Sequence, residues 1–287
     1  MCEVDRTAVT TGFFDGVHLG HRLVIDTLVS EARSRGEEAI VVTFWPHPRA
    51  VLQQDARDFR LLSSLEEKKE MLLSMGVDRV EVLPFTREFA SLTAREYLQL
   101  LSERFGAGLV VMGYDNRIGS DKLTAGKINT AAAEIVVAQC TDSGISSTQI
   151  RKALEAGDIE LANGMLGYKY GLHGVVVAGN RKGRTIGFPT ANIRLYEPLK
   201  LVPARGVYAV DVQVLGKEYR GMCNIGVRPT VGGGSPTIET HILDFDEDIY
   251  GLPLKLLFIR RIRDERKFPS LEALREQLIL DKLEIQI

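Results

Sequence analysis

The chain is predicted to fold as two domains of different class: an α/β domain on a parallel, doubly wound sheet, then an antiparallel β-barrel closed by a helix. Three observations carry this. Through about residue 167, apolar runs of strand length alternate with stretches of helical apolar spacing. From residue 168, short strands follow one another through glycine-rich connections with no helix between them. Residues 270–283 then return to helical spacing. A length of 287 residues suits two cores better than one. Gly167-Tyr168-Lys169-Tyr170-Gly171 is the expected linker, dividing the chain into 1–167 and 168–287.

In order, Ala8-Val9-Thr10-Thr11 reads as a strand, and the spacing from Leu23 to about Arg35 as a helix stopped by Gly36. Residues 38–44 form a buried strand ending in Trp45-Pro46-His47-Pro48, where two prolines are expected to exclude regular structure. Ser64 and Glu67 make a capping box for a helix over 65–75 closed by Gly76, and residues 79–84 alternate as a strand. Thr93 and Glu96 make a second box, with Leu92 placed to staple onto Tyr97 and Gly106 ending the helix. Strands at 109–112 and 134–138 complete a sheet covered on both faces. A short helix at 158–166 follows. The barrel strands are expected at 172–179, 206–214, 218–227, 237–243 and 254–263, with Leu271, Leu274, Leu278 and Leu283 on the apolar face of the closing helix.

Composition narrows the function. A net charge of −2 gives no electrostatic case for nucleic acid or an anionic membrane. Cys2, Cys140 and Cys223 are odd in number and lack CxxC spacing, which argues against disulfides or structural zinc and for a reducing cytoplasm. The first six residues lack the apolar core of a signal peptide, and no apolar run reaches transmembrane length. Neither GxGxxG nor the Walker sequence occurs.

Three stretches carry chemistry. GFFDGVHLGHR, from Gly12 to Arg22, joins the first strand to the first helix, where unpaired N–H groups and the helix dipole favour an anion. His18 and His21 share a face there, Gly20 leaves room for close approach, and Asp15 with Gly16 shapes the turn. The plain alternative is an ordinary strand–helix turn with two surface histidines. His47, at a strand end, is either a third polar group near that site or a histidine held in a rigid loop. In Gly144–Arg151 (numbers 144–151), consecutive hydroxyls cap a helix and can bind phosphate oxygens, with Arg151 about one turn further on. Residues 179–192 intersperse glycines and cations, which suits a phosphate cradle as well as a plain surface loop.

These stretches also carry a resemblance. HLGH matches the HxGH signature of nucleotidyltransferases, and its longer form resembles bacterial FAD synthetases. Ile145-Ser146-Ser147-Thr148-Gln149-Ile150-Arg151 is similar to the ISSTxIR signature that accompanies it. GRTIGFPTAN, ending at Asn192, resembles the riboflavin kinase signature. The agreement continues through PARGVY, NIGVRPT and TIETH to Phe245 and Tyr250-Gly251. From about Thr7 to Asp281 the chain resembles the bifunctional bacterial riboflavin kinase/FAD synthetases.

That resemblance implies a Rossmann-like first domain that converts FMN and ATP to FAD and pyrophosphate. It implies a second that converts riboflavin and ATP to FMN and ADP, with Mg²⁺ in both. By the same likeness Gly12, Phe13, Asp15, His18, Gly20, His21, Asp115, Ser146, Ser147, Thr148 and Arg151 bind ATP in the first half, with His18, His21 and Arg151 catalytic. Gly179, Lys182, Gly183, Gly187, Phe188, Pro189, Thr190 and Asn192 bind it in the second, where Thr190 and Asn192 hold the metal. Tyr208, Asn224, Glu239 and Arg266 meet the flavin, and Glu239 is the base. The implied partners are riboflavin, FMN, FAD and ATP, with no nucleic acid or membrane, and a monomer or weak homo-oligomer.

Gly113-Tyr114-Asp115-Asn116-Arg117-Ile118-Gly119 departs from the family's aromatic-rich GxDFxFG, and the segment 119–144 is short. Both departures fall in the adenylylating half. The alternatives are a kinase with a weakened or silent adenylyltransferase, a nucleotidyltransferase for another substrate, and a non-enzymatic flavin sensor. A sensor is expected to lose Glu239 or the PTAN ligands, and this chain retains both.

Overall fold

β1 (Thr7–Thr11) is buried along its whole length and lies at the centre of a parallel sheet. The computed structural model describes residues 6–52, 59–139, 144–179, 182–227 and 236–285. It separates into two compact units, Met1–Ser147 and Thr148–Ile287.

In the first unit β1 is followed by α1 (Leu19–Arg35), β2 (Glu38–Trp45), α2 (Pro48–Leu52), α3 (Leu65–Ser74), β3 (Arg79–Pro84), α4 (Arg87–Ala90), α5 (Ala94–Phe105), β4 (Ala107–Gly113) and β5 (Glu134–Ala138). The sheet order is β3-β2-β1-β4-β5, all parallel. The order reverses between β1 and β4, and in such sheets ligands bind beyond the carboxyl ends at that reversal. Alternate strand residues serve opposite layers, as the two-residue period requires. Ala8, Val41 and Val111 pack with Ile25 and Leu28 of α1 and Leu72 of α3. Val9, Val42 and Val110 pack with Leu98 and Leu101 of α5.

Both expected capping boxes are present, Ser64 with Glu67 and Thr93 with Glu96. Gly36 and Gly106 end α1 and α5 in the left-handed conformation, where glycine carries no Cβ penalty. Three local expectations change. α1 starts at Leu19 rather than Leu23, because His18 takes the N-cap position and draws the HLGH turn into the helix. Pro48 opens α2 instead of forbidding structure, since a proline at the first helical position loses no bond. α4, four residues capped by Thr86, is too short to leave a periodic signal.

The unusual segment after β4 is anchored on α5. Ile118 is buried in the α5 layer, and the Asp121 carboxylate accepts from Ala94 N at 2.9 Å. Gly119 has φ +76°, and a Cβ there would stand 2.1 Å from Ala94 N. Its glycine is therefore a packing requirement. Asn116 Nδ2 donates to the Thr11 carbonyl at 3.4 Å, laying the same segment over the end of β1.

The second unit begins within α6 (Ser147–Ala156) and continues with α7 (Ile159–Leu166). A closed barrel follows, made of β6 (Gly171–Val177), β7 (Ala191–Leu195), β8 (Gly206–Val214), β9 (Lys217–Val227), β10 (Pro236–Ile242) and β11 (Pro253–Arg263). Its order is β10-β7-β6-β11-β8-β9, antiparallel throughout. β7 is a sixth strand beyond the five expected, and it contains the last residues of the PTAN string.

The segment expected as a linker is tied down. Tyr170 is fully buried with its hydroxyl on the Leu201 carbonyl at 2.6 Å. Asn163 of α7 accepts from Tyr170 N at 2.7 Å and donates to the Phe258 carbonyl of β11 at 2.9 Å.

The closing helix, α8 (Leu271–Ile285), turns a different face inward than expected. Leu278 and Ile285 pack on the barrel, whereas Leu271 and Leu283 are exposed. The reason is ionic. Asp281 is 1% exposed and takes Arg263 of β11 through Nη2 at 2.7 Å and Nε at 3.0 Å, which sets the helix rotation. Among the described residues no group of His, Cys, Asp and Glu is arranged to hold a metal by itself. Cys223 is buried and free, while Cys2, Cys140 and the Arg228-Pro229-Thr230 part of the NIGVRPT string lie outside the described residues.

Candidate active sites

The stretch after β1 is a tightly braced turn. Gly12 N donates to the Val42 carbonyl at 3.1 Å, and a Cβ on Gly12 would press on the Phe14 ring at 3.0 Å. Phe14 and Val17 hold positive φ, 52° and 38°, which side-chain-bearing residues adopt only when their surroundings enforce it. Burial of both in the α1 layer does so. Asp15 is buried, and its Oδ1 accepts from Leu62 N at 3.0 Å and Ser63 N at 3.2 Å. Gly16 N donates to Ser63 Oγ at 3.0 Å.

His18 and His21 do share one face. Their rings stack with centroids 3.6 Å apart, and His18 Nδ1 caps the helix by accepting from His21 N at 3.4 Å. Burial, then the neighbouring His18 and Lys68 charges, hold the His21 pKa well below the usual histidine value. His21 is therefore a neutral imidazole at pH 7, and its buried Nδ1 has no hydrogen-bond partner among the described residues. Gly20, between them, lies in the first turn of α1. His47 reaches this neighbourhood through Phe13, with ring centroids 4.0 Å apart, while its Nδ1 accepts from Arg49 N at 3.0 Å.

The second motif meets the first at one point inside the first unit: Ser147 Oγ donates to the Asp15 carbonyl at 3.1 Å. Ser146 is exposed just before it, and Thr148 and Arg151 follow on α6 in the second unit. Asp115 is exposed in the turn after β4.

In the barrel, register builds the site. Glu239 on β10 stands opposite Asn192 of β7 on one side and Asn224 of β9 on the other. Ile238 and Thr240 face the opposite way and are buried, as strand alternation expects. Asn192 packs so closely over Gly179 that a Cβ there would meet its amide at 2.1 Å. Gly183 likewise leaves no room, its Cβ position being 2.1 Å from the Phe188 carbonyl. Gly187 has φ +81°. The side chain of Lys182 lies outside the described residues.

Two cavities flank this row. One, of about 280 Å³, is lined by Arg184, Pro189, Thr190, Thr240 and the turn from Phe245 to Tyr250. The other, of about 310 Å³, is lined by Phe188, Thr190, Asn224, Glu239, His241 and Arg266, with α8 beyond. Thr190 is common to both. Arg266 lies over the Phe268 ring at 4.9 Å and donates to the Gln277 amide oxygen of α8.

Tyr208 is not brought to either cavity. It is fully buried, its ring edge-on to Phe258 at 5.3 Å and its hydroxyl donating to the Ala204 carbonyl. Sequence reasoning missed His241, whose Nδ1 donates to the Pro189 carbonyl at 2.8 Å just before Thr190. Its signal was available, since a residue two along a strand from Glu239 shares its face.

Comparison with known proteins decides the family. Residues 2–152 match the FAD synthetase family and residues 166–286 the riboflavin kinase family. A Bacillus subtilis bifunctional riboflavin kinase/FMN adenylyltransferase is 39% identical over 98% of this chain and 92% of its own. The chain belongs to that bifunctional family. An Escherichia coli K12 member is 39% identical, covering 96% of this chain and 90% of its own. A crystal structure described as a macrolide-efflux protein from Streptococcus pneumoniae matches with a TM-score of 0.93 and 35% identity, over 99% of this chain and 94% of that one. That name is the other protein's. Among the described residues here, no helix is long and apolar enough to cross a membrane. As a member of the bifunctional family, the chain is a riboflavin kinase and an FMN adenylyltransferase.

Proposed function

We propose that residues 168–287 phosphorylate riboflavin and residues 1–167 adenylylate the FMN so formed, with the site residues assigned as follows. The observation that carries the kinase assignment is the position of Glu239, between Asn192 and Asn224 on the wall of the cavity that shares Thr190 with its neighbour. Nucleotide occupies the cavity of Arg184 and Pro189, and flavin the cavity of Phe188, Asn224 and Arg266. Glu239 accepts the proton of the ribityl primary hydroxyl as its oxygen attacks the γ-phosphorus, and ADP leaves.

Thr190, common to both cavities, and Asn192, paired across the ladder with Glu239, supply neutral oxygen donors, a set that suits a hard cation sharing its remaining positions with phosphates and water. Mg²⁺ bound there would neutralise charge on the phosphates.

In the first half, a phosphate oxygen of FMN attacks the α-phosphorus of ATP and pyrophosphate leaves. Positioning and charge stabilisation carry such a step. The N-terminal N–H groups of α1, His18, His21 and Ser147 are assigned to the triphosphate. His21, neutral in the free protein, acts as a hydrogen-bonding group rather than a cation. The enzyme is further proposed to be cytoplasmic and a monomer or weak homo-oligomer.

The test supplies riboflavin, ATP and Mg²⁺ and separates the flavins over time. FMN is expected to accumulate before FAD appears, because Asn116 and Ile118 replace the usual shape of the nucleotide segment in the adenylylating half. FAD forming without an FMN phase would remove the slow step. Failure to make FAD from supplied FMN would leave the kinase alone.

The boundary is tested with two fragments, beginning at Thr148 and at Tyr168. Both are expected to phosphorylate riboflavin, which an inactive pair would contradict. The shorter should melt at least about 5 °C lower, since it lacks Asn163 and the buried residues of α7. Equal melting would release α7 from the barrel domain.

A further inference from the structure

The inward stripe of α3 runs Leu65, Lys68, Leu72, with Lys68 and Leu72 buried, and a lysine occupies a position where that spacing wants a hydrophobe. Lys68 is 1% exposed. Its Nζ donates to the Phe13 carbonyl at 2.8 Å and Thr43 Oγ1 at 2.9 Å, and lies 3.8 Å from the Phe13 ring centroid. Among the described residues its hydrogen-bond acceptors are neutral, and a buried ammonium so held stays costly unless further negative charge adds to that of nearby Asp15. The turn it braces is the one assigned above to the ATP phosphates.

We propose that Lys68 is a positioning residue for adenylyl transfer. Its ammonium holds the Phe13 carbonyl inward beneath the Gly12–Gly20 turn and supplies buried positive charge that the nucleotide's phosphates complete. This rests on ATP binding at that turn. The ligand class is a nucleoside triphosphate, and Lys68 acts from below without touching it.

The surroundings give the proposal a signature. The titratable groups facing Lys68 are Asp15 of the turn, His21 of α1 with His18 stacked on it, and His47 across the Phe13 ring. Burial brings the lysine down to about 8, against the pull of Asp15. A lysine so lowered carries its charge below that pH and loses it above. Bound phosphates favour the charged form and raise the value in the complex. In FAD formation from supplied FMN, kcat/KM for ATP, which reports the free enzyme, should therefore fall as pH rises through about 8. The matching limb in kcat should lie at higher pH. FMN formation, carried by the other half, should show no such pair.

The experiment compares the full chain with Lys68→Arg and Lys68→Met between about pH 6.5 and 10. Lys68→Arg is expected to lose the limb, since a guanidinium stays protonated. Lys68→Met should lower kcat/KM at neutral pH at least about tenfold and flatten its profile. Retained riboflavin phosphorylation confirms that the rest of the chain has folded. An unchanged limb in Lys68→Met, or its wild-type kcat/KM, would overturn the proposal. If both variants fail to fold in their first half, the unsubstituted enzyme still decides, because coincident limbs in kcat and kcat/KM would overturn it. His21→Ala separates the layers: full FAD formation in that variant would sink the assignment of ATP to the turn itself. A His21→Ala defect with indifferent Lys68 variants would sink only this inference.

Discussion

Replacing Glu239 by glutamine is expected to lower FMN formation by about a hundredfold or more, the scale of a positioned proton acceptor. Glutamine keeps the size and hydrogen-bonding reach of the side chain and removes its basicity. The neighbours across the ladder, Asn192 and Asn224, are neutral and cannot take over as bases. FAD formation from supplied FMN should persist in the same preparation, an internal control for folding and for ATP quality. A variant with near-normal riboflavin phosphorylation would take Glu239 out of the proton transfer.

His21→Ala should produce the mirror result, a loss of FAD formation of about a hundredfold with riboflavin phosphorylation intact. Its partner needs a different substitution. His18 caps α1, so His18→Ala removes a helix cap as well as a ring and lowers stability by about 1 kcal/mol. His18→Asn replaces the capping ring nitrogen with a side-chain oxygen suited to the same cap and isolates the contribution of the imidazole. Both halves should be assayed against thermal melting. FAD formation near the unsubstituted rate in His21→Ala and His18→Asn would place the triphosphate away from the HLGH turn.

Much of this arrangement was legible in the residues. The sheet could be read because β1, β2 and β4 are apolar runs between helices with capping boxes and terminal glycines, signals confined to a few neighbouring residues. The barrel was legible as a class but one strand short. β7 is only five residues and follows directly on the PTAN turn, so its composition was read as ligand chemistry rather than as a ladder.

What escaped depends on contacts distant in sequence. Tyr208 sits in a string shared with the riboflavin kinases, yet only packing against Phe258 reveals it as core. Leu283 has helical spacing, but the Arg263–Asp281 pair decides which side of α8 is buried. Lys68 lies among glutamates and lysines in the sequence, and only the fold places Thr43 and the Phe13 carbonyl around it. In each case the deciding partner lies far along the chain.

The row formed by Asn192, Glu239 and Asn224 has a bearing on misfolding. β10 is hydrogen-bonded on both sides in a barrel without an edge, so it cannot shift against one neighbour while keeping step with the other. A slip of one residue would turn the Glu239 carboxylate into the apolar interior and bring Ile238 or Thr240 out in its place. The penalty for burying that charge falls on the misregistered form alone. The acidic side chain thus selects against its own misplacement, and molecules that complete the barrel carry the row in working order.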